Sequence, residues 1–514
     1  MNTWGVVALA SLCLAGCSRE AARANVLLIS IDTLRADHLG VYGYPRATSP
    51  NLDRLGREGL VFENASTPRA KTTPAIASLF SSAYPHEHCV RDLLQPIDRH
   101  VPLLAQAFAE AGYQSAAIVG NFVLKDQYCG FARGFDRYIE SLPSRQGVPP
   151  DDVPQRTAHS LTSAALAALG LEAAPALDED GKAFEPAGAL FDATRPWFLW
   201  LHYMDPHGAY EPPQEQRVFQ RETPRWIDPP PANSKSRMRV SQYNVPASAR
   251  DAEGRFDAAA VIDLYDAEIR YADSEIGKLI DKLRARGDLK KTWVIVVADH
   301  GESLGEQDYW FEHGFYAYES TCRVPLIVRP PDDWPDRPAP GRRAGAISLA
   351  DMSLTIRVWL DLPFGGYVDP GSPISGDSRA GLLARDDPEP FATYSEKIEG
   401  EELFGTVQIK AVRFAGWKLL RRWAHAAGKQ PGEPKVLKLL GEELYDLRVD
   451  PLETRDLSKA PPAEAPLDLL RLKLLEFAAA DAPFEELEQT LARRRAALEA
   501  RDAEAIRALK ALGY

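Results

Sequence analysis

Residues 25–32 read Asn-Val-Leu-Leu-Ile-Ser-Ile-Asp, an apolar run that stops at a carboxylate. A half-exposed strand would alternate apolar and polar side chains, so this run predicts a strand buried on both faces, as in a parallel sheet covered by helices. Gln114–Val119, Pro196–Tyr203 (PWFLWLHY) and Thr292–Val297 carry the same signature. Between them lie helical segments at Pro102–Gly112, Ala158–Gly170 and Phe256–Arg286. In the last of these Val261, Leu264, Tyr265, Ile269, Ile276, Ile280 and Leu283 recur at helical spacing. Such alternation predicts an α/β sheet, which binds ligands beyond the carboxyl ends of its strands. Asp32 ends the first such strand, and Asp299-His300 ends the fourth. An Asp and a His side by side at a strand end can reach one metal, and mixed oxygen and nitrogen ligation suits zinc, manganese or calcium.

The chain has 514 residues and is 45% hydrophobic and 26% charged, an ordinary globular composition. Its 73 acidic against 60 basic residues give a net charge of −13, which argues against a nucleic-acid partner. Residues 1–16 form an apolar run too short for the ~20 residues of a membrane span, and they read as a signal peptide. Leu14-Ala15-Gly16-Cys17 resembles a bacterial lipobox with Cys17 as the lipidated residue. No Lys or Arg precedes the run. The location expected is the bacterial cell envelope, lipid-anchored at the outer membrane facing the periplasm, or secreted; the lipid anchor is the only membrane contact expected. The remaining cysteines, Cys89, Cys129 and Cys322, do not have the spacing of a zinc cluster. Cys89 and Cys129 are read as either a disulfide pair or free thiols.

Residues 71–88, KTTPAIASLFSSAYPHEH, predict a helix with Thr73 as N-cap and Pro74 at the first helical position. The Thr72 hydroxyl then lies beside unpaired backbone amides at a helix N-terminus, where an anion is favoured.

This stretch resembles the signature of the sulfatase family of the alkaline-phosphatase superfamily, Cys/Ser-x-Pro-Ser-Arg followed by a small-residue helix, Leu-Thr-Gly and Tyr-Pro. Pro74, Leu79, Ser81, Tyr84, Pro85 and His88 fall in step with it, which puts Thr72 in the nucleophile column. The segment from Asp32 through Thr33-Leu34-Arg35-Ala36-Asp37-His38-Leu39-Gly40 to Asp53 resembles the family's opening. Gly134-Phe135-Asp136, Asp299-His300-Gly301-Glu302 and Glu443-Leu444-Tyr445-Asp446-Leu447 continue the likeness across residues 25–460. The resemblance implies a mixed α/β sheet flanked by helices over residues 25–365, followed by a small antiparallel sheet and terminal helices over 390–514. It implies one divalent metal (Ca, Mn or Zn) on Asp32, Thr72, Asp299 and His300, and a catalytic His207 beside Thr72. Asn121 and His313 stand at or near substrate-binding columns.

The chain departs from the family pattern in several columns. Neither the family's Cys nor its Arg is present, since Thr72 and Ile76 stand there, so formylglycine cannot form at this position. Thr33 replaces the family's second Asp, and Asn121 and His313 replace cationic residues. The activity implied is metal-dependent hydrolysis of small or polymeric anionic esters, sulfate or phosphate, with phosphate diesters favoured. The alternatives are a phosphoglycerol or phosphoethanolamine-type transferase and a non-catalytic binding protein.

Overall fold

The computed structural model describes residues 23–481 apart from 144–154, 176, 178–182, 231–237, 242, 365–375, 387–389, 399–406 and 427–435, together with Arg493, Ala496 and Asp502. The signal-peptide and lipobox reading therefore lies outside the described residues.

An eight-stranded sheet forms the centre. Its order is Gly341–Ser348, Leu60–Ser66, Leu326–Arg329, Thr292–Ala298, Asn25–Ile31, Trp197–Tyr203, Gln114–Val119 and Arg137–Ile139. Only Leu326–Arg329 runs antiparallel to its neighbours. The strands expected from continuous apolar runs occupy the middle of this order, and Asn25–Ile31 is buried at every position. Register explains how distant residues meet. Ile31 lies level with Tyr203 on one side and with Ala298 on the other, and Val119 lies level with His202. Asp32, Asp299 and the segment after Val119 therefore leave the sheet at one edge.

Helices cover both faces. The longest, Ala258–Arg286, starts where the Asp257 side chain accepts from the Ala259 amide and stops at Gly287, whose φ of +85° suits glycine. Phe391 onward builds a second, four-stranded antiparallel sheet: Thr393–Ile398, Val407–Phe414, Trp417–Ala426 and Val436–Asp446. The helix Leu467–Ala479 seals this sheet with Leu470, Leu474 and Phe477. The fourth strand carried no clear alternation, and only its register against Trp417–Ala426 defines it.

One expectation needs correction, and one open reading is decided. The helix after Lys71 runs Thr72–Ser81, so Thr73 is its second residue and no side chain caps it. The Thr73 hydroxyl instead reaches the Val123 carbonyl at 3.5 Å, and Pro74 sits third, still within the turn whose amides lack helical partners. Cys89 and Cys129 are both free thiols, one exposed and the other buried.

Candidate active site

The Thr72–Ser81 helix is buried along its whole length and presents its first residue to the edge where Asp32 and Asp299 emerge. Thr72 Oγ1 lies 3.4 Å from Asp32 Oδ2 and 3.5 Å from His300 Nε2. His300 Nε2 is 3.6 Å from Asp32 Oδ1 and 3.5 Å from Asp299 Oδ2. Donors bonded to one ion at about 2.0–2.2 Å stand about this far apart. Asp32 Oδ1 and Asp299 Oδ2 are buried and accept no hydrogen bond. Two buried carboxylates facing each other favour a cation between them, and these donors fit a divalent one.

Hydrogen bonds turn the correct atoms inward. His300 Nδ1 lies 3.0 Å from the Gly301 carbonyl, which can only accept, so Nδ1 carries the proton and Nε2 offers its lone pair to the cluster. Asp299 Oδ1 accepts from the amides of His300 at 2.7 Å and Thr33 at 3.3 Å, leaving Oδ2 for the centre. Thr33 takes a φ of +54°, an unusual value for a β-branched residue, while Tyr265 donates to its carbonyl at 2.8 Å. The residue that stands for the family's second Asp thus takes part through its backbone.

Burial alone would raise the Asp32 carboxyl, but His207, His202 and His300 outweigh it and hold it well below the usual range. Burial and the Asp32 charge push Asp299 well above it. Burial and His313 bring His300 down to about 3. Asp32 and His300 are thus biased towards the ionised carboxylate and neutral imidazole that a cation binds, and a bound cation would bring Asp299 into line by favouring its ionised form.

The structure also brings His207, His313 and Asn121 to this edge. The His207 and His313 rings are 5.3 Å apart, and those of His313 and His300 are 4.4 Å apart. His207 Nδ1 lies 2.8 Å from the Gly208 carbonyl and so donates to it. A Cβ at Gly208 would sit 1.8 Å from Asn244 Oδ1, so glycine is required there, and Asn244 in turn donates to the Phe311 carbonyl at 2.8 Å. Asn121 Nδ2 donates to Asp32 Oδ2 at 2.8 Å, and its carbonyl accepts from the Val123 amide at 3.0 Å. The loop position of Asn121 was legible, but its bond to Asp32 was not.

Sequence reasoning missed several members. His202 sits inside an apolar strand with no local signal. Trp200 donates to Ser30 Oγ at 2.9 Å, and Ser30 Oγ lies 2.8 Å from His202 Nδ1. That arrangement leaves Nε2 facing Asp32 Oδ2 at 3.4 Å. Glu302, in the quoted Asp-His-Gly-Glu run, meets His313 Nδ1 at 3.2 Å and accepts from Tyr210 at 3.1 Å; burial pushes it up to about 7. Arg35 donates from Nη1 to the Glu302 carbonyl at 3.0 Å while Asp37 holds the rest of its guanidinium, which locks the 299–306 loop to the first strand's exit. Lys71, buried and paired with Asp92 at 2.8 Å, supplies a fixed positive charge felt by His313.

The sequence profile of the sulfatase family matches residues 24–362. The chain belongs to the sulfatase family. It is 23% identical over 488 residues to an arylsulfatase of Clostridium perfringens, covering 88% of this chain and 94% of that one. Its fold resembles a phosphonate monoester hydrolase of Agrobacterium radiobacter, with a TM-score of 0.59 at 22% identity over 89% of this chain and 95% of the other. It also resembles a protein solved with its substrate D-glucosamine-2-N,6-O-disulfate, with a TM-score of 0.64 at 18% identity over 89% and 98%. The family and the cluster together make this chain a hydrolase of sulfuric or phosphoric ester bonds.

Proposed function

We propose that this sulfatase-family chain hydrolyses phosphate esters, diesters ahead of sulfate esters, through a covalent adduct on Thr72. The observation that carries this reading is the Thr72 hydroxyl at the first residue of a buried helix, 3.4 Å from Asp32 and 3.5 Å from His300. A divalent cation (Ca, Mn or Zn) held by Asp32, Asp299, His300 and Thr72 would acidify the hydroxyl and neutralise charge on the ester.

The chain's own groups then divide the work. The helix N-terminus faces the phosphoryl oxygens. Asn121 keeps Asp32 in place with one amide hydrogen and offers the second to a non-bridging oxygen. Thr72 Oγ1 passes its proton to Asp32 Oδ2, 3.4 Å away, and forms a bond to phosphorus as the bond to the leaving oxygen breaks; that oxygen takes a proton from Nε2 of His207, whose Nδ1 is held by Gly208. His313, steadied by Glu302, binds a further ester oxygen. Water next attacks phosphorus, giving a proton to His207 Nε2, and expels Thr72, which recovers its proton from Asp32 as the phosphate monoester leaves. A formylglycine hydrate can shed sulfate by collapsing to an aldehyde, but a threonine sulfate has no such exit, and this favours phosphorus.

The test is a panel of aryl sulfate, phosphate monoester, phosphate diester and phosphonate esters with each metal, run on the native chain and on Thr72→Ala. The expected result is a diester preference that Thr72→Ala abolishes while metal content stays. Sulfate turnover well above phosphate turnover, or an active Thr72→Ala, overturns the reading. The proposal extends to lipidation at Cys17 and envelope anchoring, which mass spectrometry of the mature N-terminal peptide from a bacterial membrane fraction tests; an unmodified Cys17 refutes it.

A further inference from the structure

A cleft of about 710 Å³ opens where the edge strand Gly341–Ser348 meets the C-terminal sheet, and it shares no lining residue with the cluster around Thr72. Three guanidinium groups line it: Arg323, Arg413 and Arg448. Arg323 donates from Nε and Nη2 to the Glu63 carbonyl at 3.3 and 3.1 Å, a neutral partner, and it shares the cleft's own carboxylate, Glu319, with Arg413 and Lys418. Arg448 lies over the Trp417 ring at 4.9 Å and forks Asp446 from Nε and Nη2, each at 2.7 Å. Arg413 donates from Nη2 to Asn64 Oδ1 at 3.0 Å, while its Nη1 is buried without a hydrogen bond. The nearest carboxylate to that nitrogen, Glu319 at 3.4 Å, is shared with Lys418 at 3.0 Å.

Each guanidinium is thus anchored from one side, with Nη1 outside these hydrogen bonds, and for Arg413 that nitrogen is buried. A buried donor without an acceptor is costly, and an incoming oxyanion would supply the acceptor. The turn that opens the cleft is built for this approach. Ala415 and Gly416 both have positive φ, +53° and +78°, in the tight hairpin between Val407–Phe414 and Trp417–Ala426. A Cβ at Gly416 would lie 2.7 Å from Arg448 Cγ, so glycine lets that side chain lie flat. The volume far exceeds a bare sulfate, and Phe391 and Pro451 give the remaining wall an apolar character.

We propose that this cleft is a second oxyanion site, which takes an organic anion whose sulfate, sulfonate, phosphate or carboxylate group meets Arg323, Arg413 and Arg448 and whose body lies against Phe391 and Pro451. The proposal is independent of the chemistry assigned to Thr72. The probe is 4-bromobenzenesulfonate, which has no ester bond to hydrolyse and carries a heavy atom. Crystals of the full chain soaked in it are expected to show bromine in the cleft. Calorimetry is expected to show binding weakened about tenfold or more in Arg448→Gln and in Arg413→Gln, and unchanged in Thr72→Ala. Arg448→Gln serves as the control for folding, because that side chain is half exposed; its melting temperature should match the native value. Bromine only beside Thr72 or nowhere, or native affinity in both arginine variants, overturns the proposal.

Discussion

Among the described residues, two clusters gather an imidazole and two carboxylates within metal-binding reach, Asp32/Asp299/His300 and His86/Glu396/Asp481. What separates them is the company they keep. Around the second, Arg91 donates to Glu396 at 2.6 Å and also to Asp481, while Lys410 meets Glu396 at 2.8 Å and also contacts Asp481. Burial would raise Glu396, yet Arg91 and Lys410 hold it down to about 2. The first cluster contains no such cation, and Asp299 is pushed the other way by burial and by Asp32. The same residue types therefore make a structural clasp where side-chain cations close the charge, and a candidate metal centre where they do not. The clasp also has a position to hold: it ties the Tyr84–His88 segment, just after the Thr72 helix, to the second sheet and to the helix ending near Asp481.

The largest expected contrast comes from removing one carboxylate from each cluster. Asp299→Ala should lower turnover on the order of 10³-fold or more and abolish stoichiometric metal, because this carboxylate supplies negative charge that the neutral Thr72 hydroxyl does not. Metal analysis beside kinetics checks this, and full metal occupancy in an inactive variant would break the ligand assignment. In metal-stripped protein at pH 8, Asp299→Asn should raise the melting temperature by removing a charge that burial penalises. Glu396→Ala should leave metal content intact and cost about 3–5 kcal/mol of stability, since Arg91 and Lys410 lose a buried partner.

Acid sharpens the same contrast. The Glu396 carboxyl is depressed from 4.5 to about 2, so its contribution is present above the unfolded value and fades as pH falls from 4.5 towards 2. A shift of that size corresponds to about 3 kcal/mol. Denaturant titrations at pH 5, 4 and 3 should show a loss that Glu396→Gln flattens; parallel curves for the two proteins would contradict the clasp. Smaller effects come from the partners of the ligands. His202→Ala should weaken metal affinity about 10–100-fold by freeing Asp32, with little change in fold. Smallest of all, Thr73→Ala should cost about 1 kcal/mol, the loss of one buried methyl group, because its hydroxyl caps nothing.

The central strands and the long helix were legible because apolar runs and helical spacing are local properties of the chain. Asp32, Thr72, Asp299 and His300 were legible through their positions at strand ends and through family motifs. His202 was not, since a histidine within an apolar strand becomes part of the site only when the neighbouring strand sets the register Ser30↔His202. The clasp was equally hidden, as Arg91 lies hundreds of residues from Glu396 and Asp481 and meets them only in the folded chain. The misplaced cap at Thr73 has a different origin: Thr-Thr-Pro fits two helix starts, and the contact with Val123 that accompanies the earlier one is tertiary.

The most direct test of the account is an acid quench of the enzyme during turnover of an aryl phosphate diester, followed by peptide mass spectrometry across residues 69–91. The account predicts a phosphoryl ester still bearing one aryl group on Thr72, present in the native chain and absent from Thr72→Ala. A native chain that turns over the diester with Thr72 unmodified, or with the adduct on another residue, contradicts it.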